Sequence, residues 1–119
     1  MSKSAPEMSH DVLLTATQRL HRLSMQRSYL FCTNLFKNPP WLVTLTLFES
    51  HLTGLPMTAA AITLANSLTD AEYQDAIGQL MDAGIVRLND DDIPEMMPIG
   101  CTQMTGFIRE IMQSWSRQN

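Results

Sequence analysis

Between His10 and Phe36 the apolar positions Leu13, Ala16, Leu20 and Leu23 step by three, four and three, and Leu30 comes one heptad after Leu23. This spacing predicts one long helix with a narrow apolar stripe, leaving Arg19, Arg22 and Arg27 largely off that line. Asn38-Pro39-Pro40 ends the segment, because the residue before a proline avoids the helical region and proline fits only the first turn of a new helix. Trp41 to Leu52 is apolar nearly all round, with Trp41, Leu42, Leu45, Phe48 and Leu52 at helical spacing. Its Val-Thr-Leu-Thr-Leu centre also fits an alternating strand. A run of about a dozen residues is too long for a typical strand, and Gly54 and Pro56 close it as stop signals, so a buried helix is expected.

The stretch from Pro56 to Val86 has the pattern of a helix-turn-helix. Thr58 is placed to cap a short helix ending near Ala65, and Asn66 and Ser67 supply a turn. Thr69 and Glu72 form an S/T-x-x-E capping box, which opens a second helix by satisfying two orphan amides reciprocally. Gly84 is suited to stop that helix as a left-handed residue. Tyr73, Ala76, Ile77 and Leu80 form its inward stripe, and Asp70, Gln74, Asp75, Gln79 and Asp82 face outward. Beyond it, Ile85-Val86-Arg87-Leu88 reads as a short strand and Asn89-Asp90-Asp91-Asp92 as a turn. Ile93 to Ile99, interrupted by Pro94 and Pro98, reads as an irregular return strand. Met104, Phe107, Ile108, Ile111, Met112 and Trp115 then mark an amphipathic terminal helix. Its apolar face matches the stripe of the first helix, so the two ends of the chain are expected to pack together across a two-fold axis. Leu13, Leu20, Leu23, Phe107, Ile108, Ile111 and Trp115 form the expected dimer interface.

Composition sets bounds on this picture. The 119 residues, 45% hydrophobic, suit a single domain over 10–119 preceded by a flexible tail at 1–9. The fold class expected is mainly α with a small β-wing. Positions 10–37 and 101–119 supply the dimerisation helices and 38–100 the central lobe. No apolar run approaches the roughly 20 residues that cross a bilayer, and the first residues lack a secretory pattern, so a cytoplasmic protein without membrane contact is expected. Cys32 and Cys101 stand far apart in no metal-type spacing, in keeping with a reducing compartment.

The formal net charge of −4 conceals a segregation. Residues 1–37 carry five cations against two carboxylates, whereas residues 38–100 carry Arg87 alone against nine carboxylates. On the second helix of the helix-turn-helix the outward face is therefore acidic, where a DNA-reading helix normally offers neutral or positive donors.

The order helix, helix, helix-turn-helix, two-stranded wing, helix resembles the winged-helix regulators of the MarR family from about Tyr29 onward. Its most specific pieces are Asn38-Pro39-Pro40-Trp41 with Leu45 and Phe48, and Gln79-Leu80-Met81-Asp82-Ala83-Gly84-Ile85-Val86, which is similar to the end of the family's recognition helix. The resemblance implies a dimer that places one recognition helix per subunit in a major groove of double-stranded DNA. By position the reading face is Thr69, Asp70, Ala71, Glu72, Gln74, Asp75 and Gln79, and the wing runs from Arg87 to Pro94. The family often has arginine where this chain has Asp75, and a basic wing tip where it has Asp90-Asp91-Asp92. Each carboxylate near a phosphate adds repulsion where a cation would release counterions. Thr69, Gln74 and Gln79 retain base-reading capacity, glutamine by a bidentate bond to adenine.

Two functions are thus compatible with the residues. One is a DNA-binding regulator drawing phosphate contacts from Arg19, Arg22, Arg27, Lys37 and Arg87. The other is a winged helix that has lost DNA and docks a basic protein through its acidic face. Family analogy also implies a small aromatic ligand, for which Arg27, Tyr29 and Trp41 are the candidate pocket, and a redox role for Cys32. As a free thiol, Cys32 fits better as a small buried hydrophobe. His10, His21 and His51 have no short spacing to a carboxylate or thiol, and the sequence contains neither a phosphate-cradling glycine pattern nor a nucleophile elbow. Catalysis, a metal centre and a cofactor are accordingly not expected.

Overall fold

The computed structural model describes residues 9–29 and 37–117. Five helices and one two-stranded antiparallel sheet are arranged in the order α1 His10–Ser28, α2 Pro39–Thr53, α3 Ala59–Ala65, α4 Asp70–Asp82, β1 Val86–Leu88, β2 Pro94–Met96 and α5 Pro98–Arg117. The fold is mainly helical with a small sheet. Among the described residues no helix is long and apolar enough to cross a membrane.

α2 is the helix around which the others pack, and this explains why its sequence is apolar on every side. Asn38 caps it by accepting from the Trp41 amide at 3.3 Å, and Pro39 and Pro40 occupy its first turn, where a missing N–H costs nothing. Gly54 ends it in the left-handed conformation at φ 73°. From Leu42 to Phe48 every residue is buried. One side of α2 contributes Leu42, Val43 and Leu47 to a core shared with Ile62, Leu68, Tyr73, Ala76, Ile77, Leu80 and Val86. The opposite side contributes Leu45, Phe48 and Leu52 to a second core with Leu13, Ala16, Met104 and Ile108. Each such large side chain, taken wholly out of water, contributes about 1.5–3 kcal/mol.

α1 begins at His10, where the sequence places it, and Ser9, the last position of the expected tail, is its N-cap and accepts from the Val12 amide. It ends at Ser28, with Tyr29 off the helix at φ −104° and ψ 7°, so the expected continuation to Phe36 is not observed as far as Tyr29; the remainder of that expectation, with Leu30 and Cys32, lies outside the described residues. The expected stripe is also rotated. Buried positions on α1 are Leu13, Ala16, Thr17, Ser24 and Ser28, whereas Leu20 is half-buried and Leu23 is 45% exposed. Steps near 3.6 carry the contact line through 13, 17, 24 and 28, away from the heptad line to Leu23. Small hydroxyl residues occupy that line and return their protons to the preceding turn: Thr17 donates to the Leu13 carbonyl and Ser28 to that of Ser24.

The return strand is shorter than its sequence limits. β2 covers only Pro94–Met96, in register with β1 as Val86↔Met96, Arg87↔Glu95 and Leu88↔Pro94. Pro98 and Ile99, expected to extend the strand, instead form the first turn of α5, where proline's fixed φ is favourable. Gly100 lets this turn lie against the hairpin. A Cβ there would come within 3.0 Å of Ile85 Cγ2 and 3.1 Å of Met96 Cγ.

Candidate interaction face

α4 is presented to solvent by the capping chemistry that starts it. The Thr69 hydroxyl accepts from the Glu72 amide at 3.0 Å, and Glu72 Oε1 accepts from the Thr69 amide at 2.9 Å. Lys37 Nζ donates to the same Glu72 oxygen at 3.0 Å and to the Ser67 carbonyl at 2.8 Å. The backbone bond to Thr69 and the Lys37 ammonium together hold the Glu72 carboxyl below its ordinary range. Tyr29 donates its phenolic proton to Ser67 Oγ at 3.1 Å, and Arg22 borders a shallow depression with Ala65 at the end of α3. Cations and hydroxyl groups thus gather around the turn in front of α4.

The residues assigned to the reading face are all placed on α4 or its cap, with Thr69, Asp70, Ala71, Gln74, Asp75 and Gln79 exposed and Glu72 half-buried. Tyr73, Ala76, Ile77 and Leu80 point into the core as the period requires. Two of the expected polar readers are already bonded: Gln79 donates to Asp75 Oδ2 at 2.9 Å, and Arg87 pairs with Glu95 across the hairpin at 2.9 Å. At the hairpin tip Asn89 Oδ1 accepts from the amides of Asp91 and Ile93, and Asp92 adopts φ 61°. Asn and Asp tolerate that left-handed turn better than other non-glycine residues. Its result is three adjacent exposed carboxylates, Asp90, Asp91 and Asp92, which form no ion pair among the described residues. Donors thus cluster at the turn before α4, while exposed acids run from Asp70 and Asp75 on α4 to the hairpin tip.

The turn itself is anchored from below. Asn66 is fully buried, and its amide nitrogen donates to Thr46 Oγ1 at 2.8 Å and to the Ile62 carbonyl at 3.0 Å. This leaves its carboxamide oxygen facing His21 Nε2 at 2.6 Å, while His21 Nδ1 lies 2.5 Å from Glu49 Oε2. Burial alone pushes the His21 imidazole down, but its bonds to the Glu49 carboxylate and the Asn66 oxygen outweigh it and raise the pKa above the ordinary 6.5. His21 is thus a built part of the turn's support. Local spacing holds no sign of this, because its partners are 28 and 45 positions away. Lys37 and Asn66 carry only turn and cation signals in the sequence, with nothing to reveal their contacts.

The residues expected to form a dimer interface divide. Leu13 and Ile108 are 4% and 0% exposed in the chain's own core, so they are not available to a partner; α1 and α5 meet within one chain, and the two cores absorb these positions. Leu23 and Phe107 remain exposed, Leu20 and Ile111 are half-buried, and Trp115 is half-buried beneath the Arg19 guanidinium at 4.0 Å. The three residues of the expected ligand pocket serve other contacts. Trp41 donates its indole proton to Ser24 Oγ and meets Phe107 edge-on, Tyr29 is bonded to Ser67, and Arg27 is exposed. A groove of about 580 Å³ lies elsewhere, between α1 and α5, lined by Asp11, Val12, Arg19, Met112 and Trp115 among others. Among the described residues no three His, Cys, Asp or Glu side chains gather as a metal ion would require. Cys101 is a half-buried free thiol whose pKa burial pushes up.

No family model, curated protein or solved structure matches this chain.

Proposed function

We propose that this chain is a winged-helix transcriptional regulator of the MarR type that binds double-stranded DNA as a homodimer, leading with the N-terminal end of α4. The observation that supports this reading best is the exposed, capped start of α4, with Lys37, Tyr29 and Arg22 arranged around the turn before it. Recognition helices of this class reach base edges with their N-terminal residues, and free amides there favour an anionic backbone. Thr69 and Gln74 are the readers, with Gln79 released from Asp75 at little cost, since exposed hydrogen bonds exchange readily with water. Phosphate contacts come from the exposed Arg22 and Arg27. The β1–β2 hairpin stays off the duplex, because Asp90, Asp91 and Asp92 would repel it. Exposed Leu23 and Phe107 supply an apolar surface for the second subunit.

The hairpin charges favour a second reading, in which the acidic end of the face docks a basic protein surface, such as that of another regulator. A mobility-shift titration with genomic fragments at about 50 mM and about 200 mM salt separates the two. Binding at the lower salt that weakens steeply at the higher supports the DNA reading. Absence of binding at both, with a basic protein co-purifying and released by an Asp90→Asn, Asp91→Asn, Asp92→Asn variant, supports the second.

A further inference from the structure

We propose that His21 is a proton-operated tie between α1 and α2, closed when its ring carries both protons and loosened when the Nδ1 proton leaves. The geometry fixes which proton is lost. Asn66 must present its oxygen to His21, because its nitrogen is committed to the Ile62 carbonyl, which can only accept. Nε2 therefore keeps its hydrogen in either protonation state. With both protons present, Nδ1–H donates to the Glu49 carboxylate, and α1, α2 and the turn are joined through one ring. Once the ring is neutral, the Nδ1 lone pair faces the Glu49 oxygens, and two acceptors cannot hold that contact. Glu49 then turns to solvent or the helices separate.

Among the described residues, few groups surround His21. α2 contributes Glu49, with Thr46 behind Asn66; the end of α3 contributes Ala65 and Asn66; α1 contributes Gln18, Arg22 and Met25. Glu49 and Arg22 are the charged members, and their effects oppose, the carboxylate favouring the imidazolium and the guanidinium disfavouring it. The depression that these residues line gives protons a route to the ring. Above the raised pKa the contact with Glu49 opens, so an alkaline shift loosens α1 from α2 while the Nε2 bond to Asn66 stays. This inference does not depend on what α4 binds.

Trp41 provides an internal reporter, since its indole proton bridges α2 to Ser24 on α1. The experiment is an NMR titration of the full chain that monitors the His21 ring, the Trp41 indole N–H and the exchange of the Asn66 and Ser67 amides. His21 is expected to titrate above 6.5. The Trp41 signal should shift with the same midpoint, while the Asn66 and Ser67 amides show only the base-catalysed increase seen in α4, because Asn66 keeps its bond to Nε2. Glu49→Gln should lower the His21 midpoint, and His21→Gln should abolish the pH response of Trp41 while the chain stays folded by circular dichroism. The proposal is overturned if His21 titrates at or below its ordinary value, or if it titrates above that value while Trp41 remains unmoved. Should His21→Gln fail to fold, the Glu49→Gln titration alone decides.

Discussion

Lys37 Nζ and the Thr69 amide converge on one oxygen of Glu72, at 3.0 and 2.9 Å. This single carboxylate ties the segment before α2 to the first turn of α4 while also serving as half of a capping box. The N-terminal end of α4 is consequently held in place by charge-assisted bonds.

Removing the carboxylate tests that role. Glu72→Ala is expected to destabilise the chain by about 1 kcal/mol, the usual worth of a cap, as read by urea denaturation at neutral pH. The pH dependence has a definite sign. Because the Glu72 pKa is lowered on folding from its ordinary 4.5, the stability it contributes is present above that value and is lost as the pH falls through the folded pKa. Wild type and Glu72→Ala should therefore converge in stability on acidification below about 4.5. A constant difference across that range would show that the carboxylate's charge is immaterial.

Asn66 is expected to be the least replaceable polar residue in the chain. Asn66→Ala leaves His21 Nε2 without its acceptor and Thr46 Oγ1 without its donor in a buried site, while the Ile62 carbonyl keeps the backbone amide of residue 66. The expected loss is about 2–4 kcal/mol, because each buried group left unpaired costs about 1–3 kcal/mol and water can replace part of it. Ser67→Ala, one residue along and exposed, should cost less than about 0.5 kcal/mol. Equal effects at the two positions, measured by chemical denaturation, would refute the anchoring role of Asn66.

Neighbouring positions on α5 should separate stability from association. Ile108→Ala removes a fully buried side chain and is expected to cost about 2–5 kcal/mol. Phe107 is 43% exposed and touches Trp41 edge-on, so Phe107→Ser should cost less stability yet weaken self-association with Leu23→Ser. Sedimentation velocity of the wild-type chain should show a dimer that these two variants reduce to monomer. A wild type that sediments as a monomer at high concentration removes the proposed dimer.

Much of the fold was legible because local chemistry decided it. Asn38-Pro39-Pro40, Gly54, Thr58, Thr69 with Glu72, and Gly84 each mark a helix end at the position where the structure has it. Capping and left-handed glycine act within a few residues, so the pattern contains them. The turn of Asn66 and Ser67 and the inward stripe of α4 were legible for the same reason. The illegible parts depend on contacts far apart in sequence. Leu13 and Ile108 look alike to Leu23 and Phe107 in any periodic pattern, and only the position of α2 between the two cores decides which are enclosed. Met81 sits near the apolar stripe of α4 yet is 40% exposed, since the core is already filled by Ile77 and Leu80. His21, Glu49 and Lys37 are single polar residues whose roles arise from pairing across elements, and Pro98 changes from strand breaker to helix starter because β2 ends at Met96.

The hairpin carboxylates should govern selectivity between partners. Replacing Asp90, Asp91 and Asp92 by asparagine removes three negative charges without altering side-chain size, and is expected to strengthen binding to any duplex, most at low salt. An unchanged affinity in fluorescence anisotropy would mean that the hairpin lies too far from the bound DNA for its charge to be felt.

The most direct measurement is amide chemical-shift mapping of the chain as short duplex DNA is added at low salt. The expected response is confined to the turn and the start of α4, from Asn66 to about Gln79, with the Asp90–Asp92 tip and α5 unmoved. A chain whose spectrum ignores DNA, and whose Asp90–Asp92 tip responds instead to a lysine-rich peptide, would contradict the proposed use of α4.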